Sequence, residues 1–84
     1  MKILDIDFAR DGGTVKIMDD TRRFFYVDHR IGSPTDGVVY NAYPTAGGVT
    51  RVPNNIVLEL IEALKEWDKT GKGRTGVWKK IKIK

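Results

Sequence analysis

Residues 54–70 carry the clearest periodic signal in this chain. Apolar side chains recur there at the 3.6-residue spacing of an amphipathic helix, and charged side chains lie between them. The apolar stripe consists of Ile56, Val57, Leu60, Ile61, Leu64 and Trp67. We expect Asn54 and Asn55 to cap this helix, because an asparagine oxygen accepts hydrogen bonds from the free N–H groups of a first turn. Gly71 suits the left-handed residue that ends a helix.

Most of the remaining sequence alternates with the period of two residues that β-strands require. Six runs fit this pattern, at residues 2–8, 14–18, 22–29, 38–40, 49–52 and 77–83. The run 22–29 has aromatic residues on both faces, which favours a central strand covered on each side. In the first run, we expect Leu4, Ile6 and Phe8 to share one face.

These elements predict an α+β fold. A small antiparallel sheet of four to five strands packs against one amphipathic helix, about residues 54–70, on one face. The 84 residues suit a single domain spanning residues 1–84. A chain of this length buries only about 60–65% of the surface that its unfolded form exposes. Because such a core is thin, we expect a homo-oligomer.

The composition gives little support to catalysis. The sequence has no cysteine, one histidine and one serine, which excludes thiol nucleophiles and the usual zinc ligand sets. Asp28, His29 and Ser33 lie close in sequence, but neighbouring strand residues point to opposite faces. Asp28 is therefore badly placed to orient the His29 ring in a catalytic triad. We predict a protein that is not an enzyme and has no cofactor.

Two short motifs resemble ion or phosphate sites. Asp5 and Asp7 share a strand face about 7 Å apart. They either hold a hard cation with further oxygen ligands, pair with Lys16 or Arg23 on neighbouring strands, or lie in solvent. Residues 71–75 lack the first glycine and the lysine of a P-loop, and they follow a helix instead of a strand. This segment offers a phosphate only glycine N–H groups and two cations.

Charge is divided unevenly along the chain. The net charge is +4, yet residues 1–68 hold eight basic and eleven acidic side chains, while residues 69–84 hold seven cations and no acid. This asymmetry indicates an anionic partner, unless the lysines serve solubility alone. The absence of cysteine predicts a cytoplasmic protein. No apolar run approaches the roughly 20 residues of a membrane span, so no membrane partner is expected.

The segment 28–44 combines several groups that bind phosphorylated ligands. An arginine supplies a planar guanidinium that matches phosphate, and tyrosines offer faces on which a base can stack. The predicted ligand-binding residues are Arg30, Ser33, Thr35, Tyr40 and Tyr43. A recess formed by them suits a small anionic ligand such as a nucleotide. The alternative is a turn-rich connection whose tyrosines close the edge of the core.

The basic end of the chain supports a second hypothesis. In a C-terminal strand, Trp78 shares a face with Lys80 and Lys82. Single-stranded nucleic acids bind such surfaces, because bases stack on aromatic rings and lysines neutralise phosphates. The nucleic-acid-binding residues are then Lys72, Arg74, Trp78, Lys80 and Lys82. An edge strand protected from aggregation by lysines has the same composition.

Three functions remain open from the sequence. The first is a non-enzymatic binding protein for a phosphate-bearing small ligand, such as a nucleotide-derived signal that a phage or mobile element sequesters. The second is a protein that binds single-stranded nucleic acid through its basic C-terminal strand. The third is a protein-interaction or inhibitor module, in which exposed aromatics and an edge strand add to a partner sheet.

Overall fold

The structure is a computed structural model that describes residues 1–10, 12–42, 49–70 and 75–83. Five strands form an antiparallel sheet in which each strand pairs with the next along the chain. They are β1 (Ile3–Phe8), β2 (Thr14–Asp19), β3 (Phe24–Asp28), β4 (Val39–Ala42) and β5 (Val49–Arg51). The helix α1 (Asn54–Lys69) follows, and a short 3₁₀ helix spans Val77–Lys79. The predicted α+β architecture is confirmed.

The core lies between α1 and one face of the sheet. Alternation in β2 and β3 directs Val15, Ile17, Phe25 and Val27 to this face, and all four are buried. The buried helix residues are Val57, Leu60, Ala63 and Leu64. The other members of the predicted stripe pack partly buried around this core. The strand β3 is central, as its composition predicts, and α1 packs on its Phe25 face. The expectation that both faces are covered is wrong for the described residues, because Phe24 and Tyr26 on the other face stay partly exposed and no described helix packs there.

The helix begins differently from the expectation. Its N-cap residue is Pro53, and no side chain caps the first turn. The Pro53 carbonyl accepts the N–H groups of Ile56 and Val57 at 3.0 Å each. The prediction that Asn54 and Asn55 cap the helix is therefore wrong, because Pro53 holds the N-cap position and both asparagines lie inside the first turn. Gly71 lies outside the described residues.

The faces of β1 also differ from strict alternation. The pairing register with β2 shifts between Ile3 and Asp5, so Leu4 sits at a β-bulge. Ile3 is consequently buried, while Leu4 is exposed. Ile6 and Phe8 still point to the core side, but Phe8 lies at the sheet edge and is 56% exposed. The expectation that Leu4, Ile6 and Phe8 share one face is wrong at Leu4.

The predicted C-terminal strand 77–83 is not present. Gly76, at φ 60°, leads into the 3₁₀ helix, which places Val77 in the core; Ile81 returns to the core four residues later. The Lys82 N–H then donates to the Gly37 carbonyl at 2.9 Å, in the β3–β4 connection. A turn followed by this contact buries both apolar side chains without a sixth strand.

Candidate functional site

Three predicted ligand-binding side chains converge on an aspartate at the end of β3. The Arg30 guanidinium donates to Asp28 from Nε at 3.0 and 3.1 Å and from Nη2 at 2.7 Å. The Thr35 hydroxyl donates to Asp28 at 2.7 Å, and Ser33 Oγ lies 2.7 Å from Thr35 Oγ1. An internal carboxylate thus lies against the guanidinium edge that the sequence assigns to a phosphate.

The Asp28 carboxyl is buried and stays ionised. The hydrogen bond from Arg30, helped by Thr35, lowers the pKa of Asp28 well below its usual range, although burial alone would raise it. The Arg30 side chain is 65% exposed, whereas the Asp28 side chain is 11% exposed. The cluster therefore fixes the β3–β4 connection, and its binding of a ligand stays a prediction.

His29 faces the other side of the same connection. Its side chain is 10% exposed, with Nδ1 3.7 Å from Asp36 Oδ1. Burial is the main cause that lowers the pKa of His29; Lys80 lowers it further, and Asp36 opposes both. Lys82 Nζ approaches the second Asp36 oxygen at 3.4 Å. Because Asp28 and His29 have different partners, they do not form a hydrogen-bonded catalytic chain with Ser33.

The predicted nucleic-acid-binding residues near the C-terminus do not share a strand face. Trp78 lies in the 3₁₀ helix and donates from Nε1 to Asp68 at 2.6 Å. Lys80 and Lys82 lie instead at the β3–β4 connection. The strand that was expected to align these three side chains is absent, so their predicted arrangement is wrong. Lys72, Arg74 and the ligand-site residue Tyr43 lie outside the described residues.

The sheet face opposite α1 carries a second group of candidate residues. Strand pairing places Lys16 across from Tyr26, Tyr26 across from Tyr40, and Tyr40 across from Arg51. At its other end this row reaches Asp7 on β1, directly opposite Lys16. One row of side chains therefore crosses all five strands, a span of about 19 Å at the usual strand spacing. We call this surface the aromatic face.

Three aromatic rings form the centre of the aromatic face. Phe24 and Tyr26 are two residues apart on β3, which separates them by about 7 Å, and Tyr40 is the direct cross-strand neighbour of Tyr26. All three are half-buried. Lys16 Nζ lies 4.4 Å from the centre of the Phe24 ring. Both described helices pack on the opposite face, against the core residues.

Charges on the aromatic face are distributed asymmetrically. Lys16 lies beside the rings on β2, and the exposed Arg51 ends the row on β5. The exposed Asp5 and Asp7 lie on the edge strand β1. Of the alternatives for these two aspartates, pairing with Arg23 does not occur, because Arg23 binds Asp19 at 3.1 Å. Among the described residues no ion pair joins either aspartate to Lys16, and both lie exposed. The described residues contain no cluster of three or more acidic or histidine side chains that could hold a metal ion.

The sequence identifies individual aromatic residues of the aromatic face but does not predict that they lie side by side on one surface. It assigns aromatic residues to both faces of the run 22–29, and it suggests Tyr40 as part of a loop recess. The relevant signal is the alternation of β2, β3 and β4 taken together, because antiparallel pairing brings outward residues of neighbouring strands side by side. Arg51 was missed, since nothing in the short run 49–52 indicates its register.

Comparisons with protein-family models, curated proteins and solved structures found no match to this chain. Among the described residues, no helix combines the length and the apolar character needed to cross a membrane.

Proposed function

We propose that this protein is a non-enzymatic binding protein that holds single-stranded nucleic acid on the aromatic face. The observation that carries the proposal is the adjacency of Phe24, Tyr26 and Tyr40 on the side of the sheet opposite α1. Every base has an apolar π-face that can stack on an aromatic ring, so such a row accepts successive unpaired bases. Paired bases in a duplex do not offer these faces.

The flanking cations supply the second half of the chemistry. Lys16 and Arg51 lie on either side of the tyrosine pair in the same row, where they can neutralise phosphates of a strand whose bases lie on the rings. The acidic strand β1 repels phosphates, which directs the nucleic acid over β2 to β5. The nucleic acid therefore has a defined path across the sheet.

The binding surface of this proposal differs from both surfaces that the sequence suggested. The arginine of the β3–β4 connection is bound to Asp28, which lowers its availability to a phosphate. Among the described C-terminal residues, Lys80 and Lys82 lie at the β3–β4 connection, while Trp78 lies in the 3₁₀ helix against Asp68. A nucleotide offers the same base and phosphate groups as a single-stranded nucleic acid. The two ligands differ in the number of aromatic rings that they cover.

Fluorescence anisotropy with labelled oligothymidylates of increasing length tests the proposal. We expect affinity to rise with length until the strand spans the three rings, to fall steeply with salt because binding releases counterions, and to be much weaker for duplex DNA. Unlabelled mononucleotides serve as competitors. Equal competition by a mononucleotide and a decamer would favour the small-ligand hypothesis, and the absence of saturable oligonucleotide binding would exclude the nucleic-acid proposal.

Self-association and cellular location remain predictions. Sedimentation equilibrium of the full chain, with and without oligonucleotide, measures whether the expected homo-oligomer forms. A monomer that binds the oligonucleotide at one-to-one stoichiometry would contradict that expectation without affecting the aromatic face.

A further inference from the structure

A groove lies on the helix side of the molecule, between the last turns of α1 and the 3₁₀ helix. Its volume is about 490 Å³, and Trp78 lines it together with Lys65, Lys69 and Lys79. The aromatic face lies on the opposite side of the sheet. We call this feature the Trp78 groove; none of its lining residues belongs to the aromatic face.

The indole of Trp78 is held in place by an aspartate. Asp68 Oδ2 accepts the Trp78 Nε1–H at 2.6 Å, while Oδ1 accepts the N–H and hydroxyl of Thr75 at 3.2 and 3.1 Å. These hydrogen bonds lower the pKa of Asp68 even though burial opposes them. Both oxygens of the one carboxylate lining the groove are therefore occupied by internal donors.

Two ammonium groups lie over this fixed ring, and a third lysine lines the same groove. Lys65 Nζ and Lys79 Nζ lie 5.2 and 5.3 Å from the indole centre, and Lys69 lines the same groove. Such contacts place the cations near the ring without consuming their hydrogen-bond donors.

The acidic partners of these lysines are weak competitors for them. Lys65 pairs with Glu62 and Lys69 with Glu66, each at 3.2 Å, and the two glutamate side chains are 74% and 71% exposed. Exposed pairs of this type contribute little to stability, so a doubly charged anion can displace them. Among the described residues, Lys79 has no acidic group within 4 Å.

We propose that the Trp78 groove binds a phosphoryl group. Lysines bind phosphate as mobile point charges, and three of them converge here over an apolar floor that stays fixed. The phosphoryl group belongs either to a free phosphorylated ligand or to the end of a nucleic-acid strand. Both sources present the same charged oxygens to Lys65, Lys69 and Lys79.

The experiment uses the Trp67→Phe protein, in which Trp78 is the sole tryptophan. Trp67 Nε1 has no hydrogen-bond partner among the described residues, so replacing Trp67 by phenylalanine removes no hydrogen bond. Titration with inorganic pyrophosphate at constant ionic strength is expected to change Trp78 emission saturably. Lys65→Gln and Lys79→Gln are each expected to weaken this binding at least about threefold, whereas the exposed Lys80→Gln leaves it unchanged. The wild-type protein gives the same readout if Trp67→Phe fails to fold.

Two outcomes would overturn the proposal: no saturable response, or a response that Lys79→Gln and Lys80→Gln alter equally. A Tyr40→Ala variant must retain the pyrophosphate response, which separates the groove from the aromatic face. Oligothymidylates with and without a 5′-phosphate then identify the source. Stronger competition by the phosphorylated strand indicates a strand end, and equal competition with an intact pyrophosphate response indicates a free phosphorylated ligand.

Discussion

Asp28 and Arg30 form a bidentate ion pair across two residues of chain, with the shortest contact 2.7 Å from Nη2 to Oδ2. The Arg30 backbone N–H donates to the same carboxylate at 3.0 Å. One aspartate at the end of β3 therefore fixes both the backbone and the side chain at the start of the following connection, in the manner of an Asx-turn.

Two other aspartates, Asp19 and Asp68, also accept hydrogen bonds from residues that follow them in the chain. Asp19 ends β2 and binds Arg23 Nε at 3.1 Å, and Asp68 lies in the last turn of α1 and binds Trp78. The pKa of each is lowered, because the hydrogen bonds to its ionised form outweigh the effect of burial. Asp19 and Asp28 therefore each fix the start of a connection as an ionised carboxylate, and Asp68 holds Thr75 and Trp78 in the same way.

Replacing Asp28 by asparagine is expected to reduce the free energy of unfolding by about 1–3 kcal/mol at pH 7, because charged hydrogen bonds to Arg30 and Thr35 are lost. The folded pKa is lowered, so the stabilisation by Asp28 is complete above the unfolded pKa, near about 4, and is lost as pH falls further. Urea unfolding from pH 7 to pH 2.5 should show the wild-type and variant curves converging at low pH. The exposed Asp5→Asn is the matched control, and a similar loss in that variant would contradict the assignment.

His29 is expected to make stability depend on pH in a higher range. Its folded pKa is lowered, so the unfolded chain binds a proton more readily, and stability falls as pH drops below the unfolded pKa near about 6.5. The groups that face it are Asp28, Asp36 and Lys80. His29→Gln should flatten the stability profile between about pH 7 and 5 in urea titrations. Since His29 is the only histidine, an unchanged slope in the variant would refute its role.

The elements with a long, regular pattern were predictable from the sequence. The stripe of α1 extends over about three turns, and its spacing alone identifies the face that Leu60 and Leu64 bury. The alternation of β2 and β3 likewise identifies Ile17 and Phe25 as core residues. In each element many residues follow the same periodicity, so the secondary structure and its buried face can be predicted without knowledge of tertiary contacts.

Local patterns failed where a single contact decides the structure. Alternation favours a strand at 77–83, but the hydrogen bond between Trp78 and Asp68 and the burial of Ile81 stabilise a turn there. The bulge at Leu4 depends on pairing with β2, which short-range periodicity does not report. The Asx-turn at Asp28 had a readable signal, an aspartate at a strand end with a donor two residues later, but Arg30 was interpreted as a ligand-binding group.

Gly37 is expected to be more sensitive to substitution than Gly32 in the same connection. Both have positive φ, 76° and 80°, so alanine at either position costs about 1–2 kcal/mol of backbone strain. A Cβ on Gly37 would also lie 2.6 Å from the Lys80 carbonyl oxygen, whereas a Cβ on Gly32 meets nothing within 4 Å. Gly37→Ala should therefore lose stability beyond Gly32→Ala and should release the C-terminal segment, which limited trypsin digestion detects as faster cleavage after Lys82. Equal stability and equal cleavage would contradict the close approach.

The charges of the aromatic face are expected to alter oligonucleotide binding in opposite directions. Lys16→Gln and Arg51→Gln should weaken binding and reduce the slope of log affinity against log salt by about 0.7 each, the value for one phosphate contact on a single strand. Asp7→Asn should tighten binding, since it removes a repulsive charge opposite Lys16. Glu59→Gln, on α1, is the control of matched charge change. If Glu59→Gln tightened binding as much as Asp7→Asn, net charge alone would explain the effect.

The aromatic rings themselves provide the most direct separation of stacking from charge. Tyr26→Ala and Tyr40→Ala are each expected to lower affinity for an oligothymidylate by about 5–150-fold, since one base stacked on a ring contributes roughly 1–3 kcal/mol. Tyr40→Phe keeps the ring and should bind within about twofold of wild type, with an unchanged salt slope. Phe8→Ala removes a more exposed aromatic on the core side of the sheet edge and should have no effect on binding. Circular dichroism confirms the fold of each variant, and a loss in Phe8→Ala equal to that in Tyr40→Ala would place the nucleic acid elsewhere on the protein.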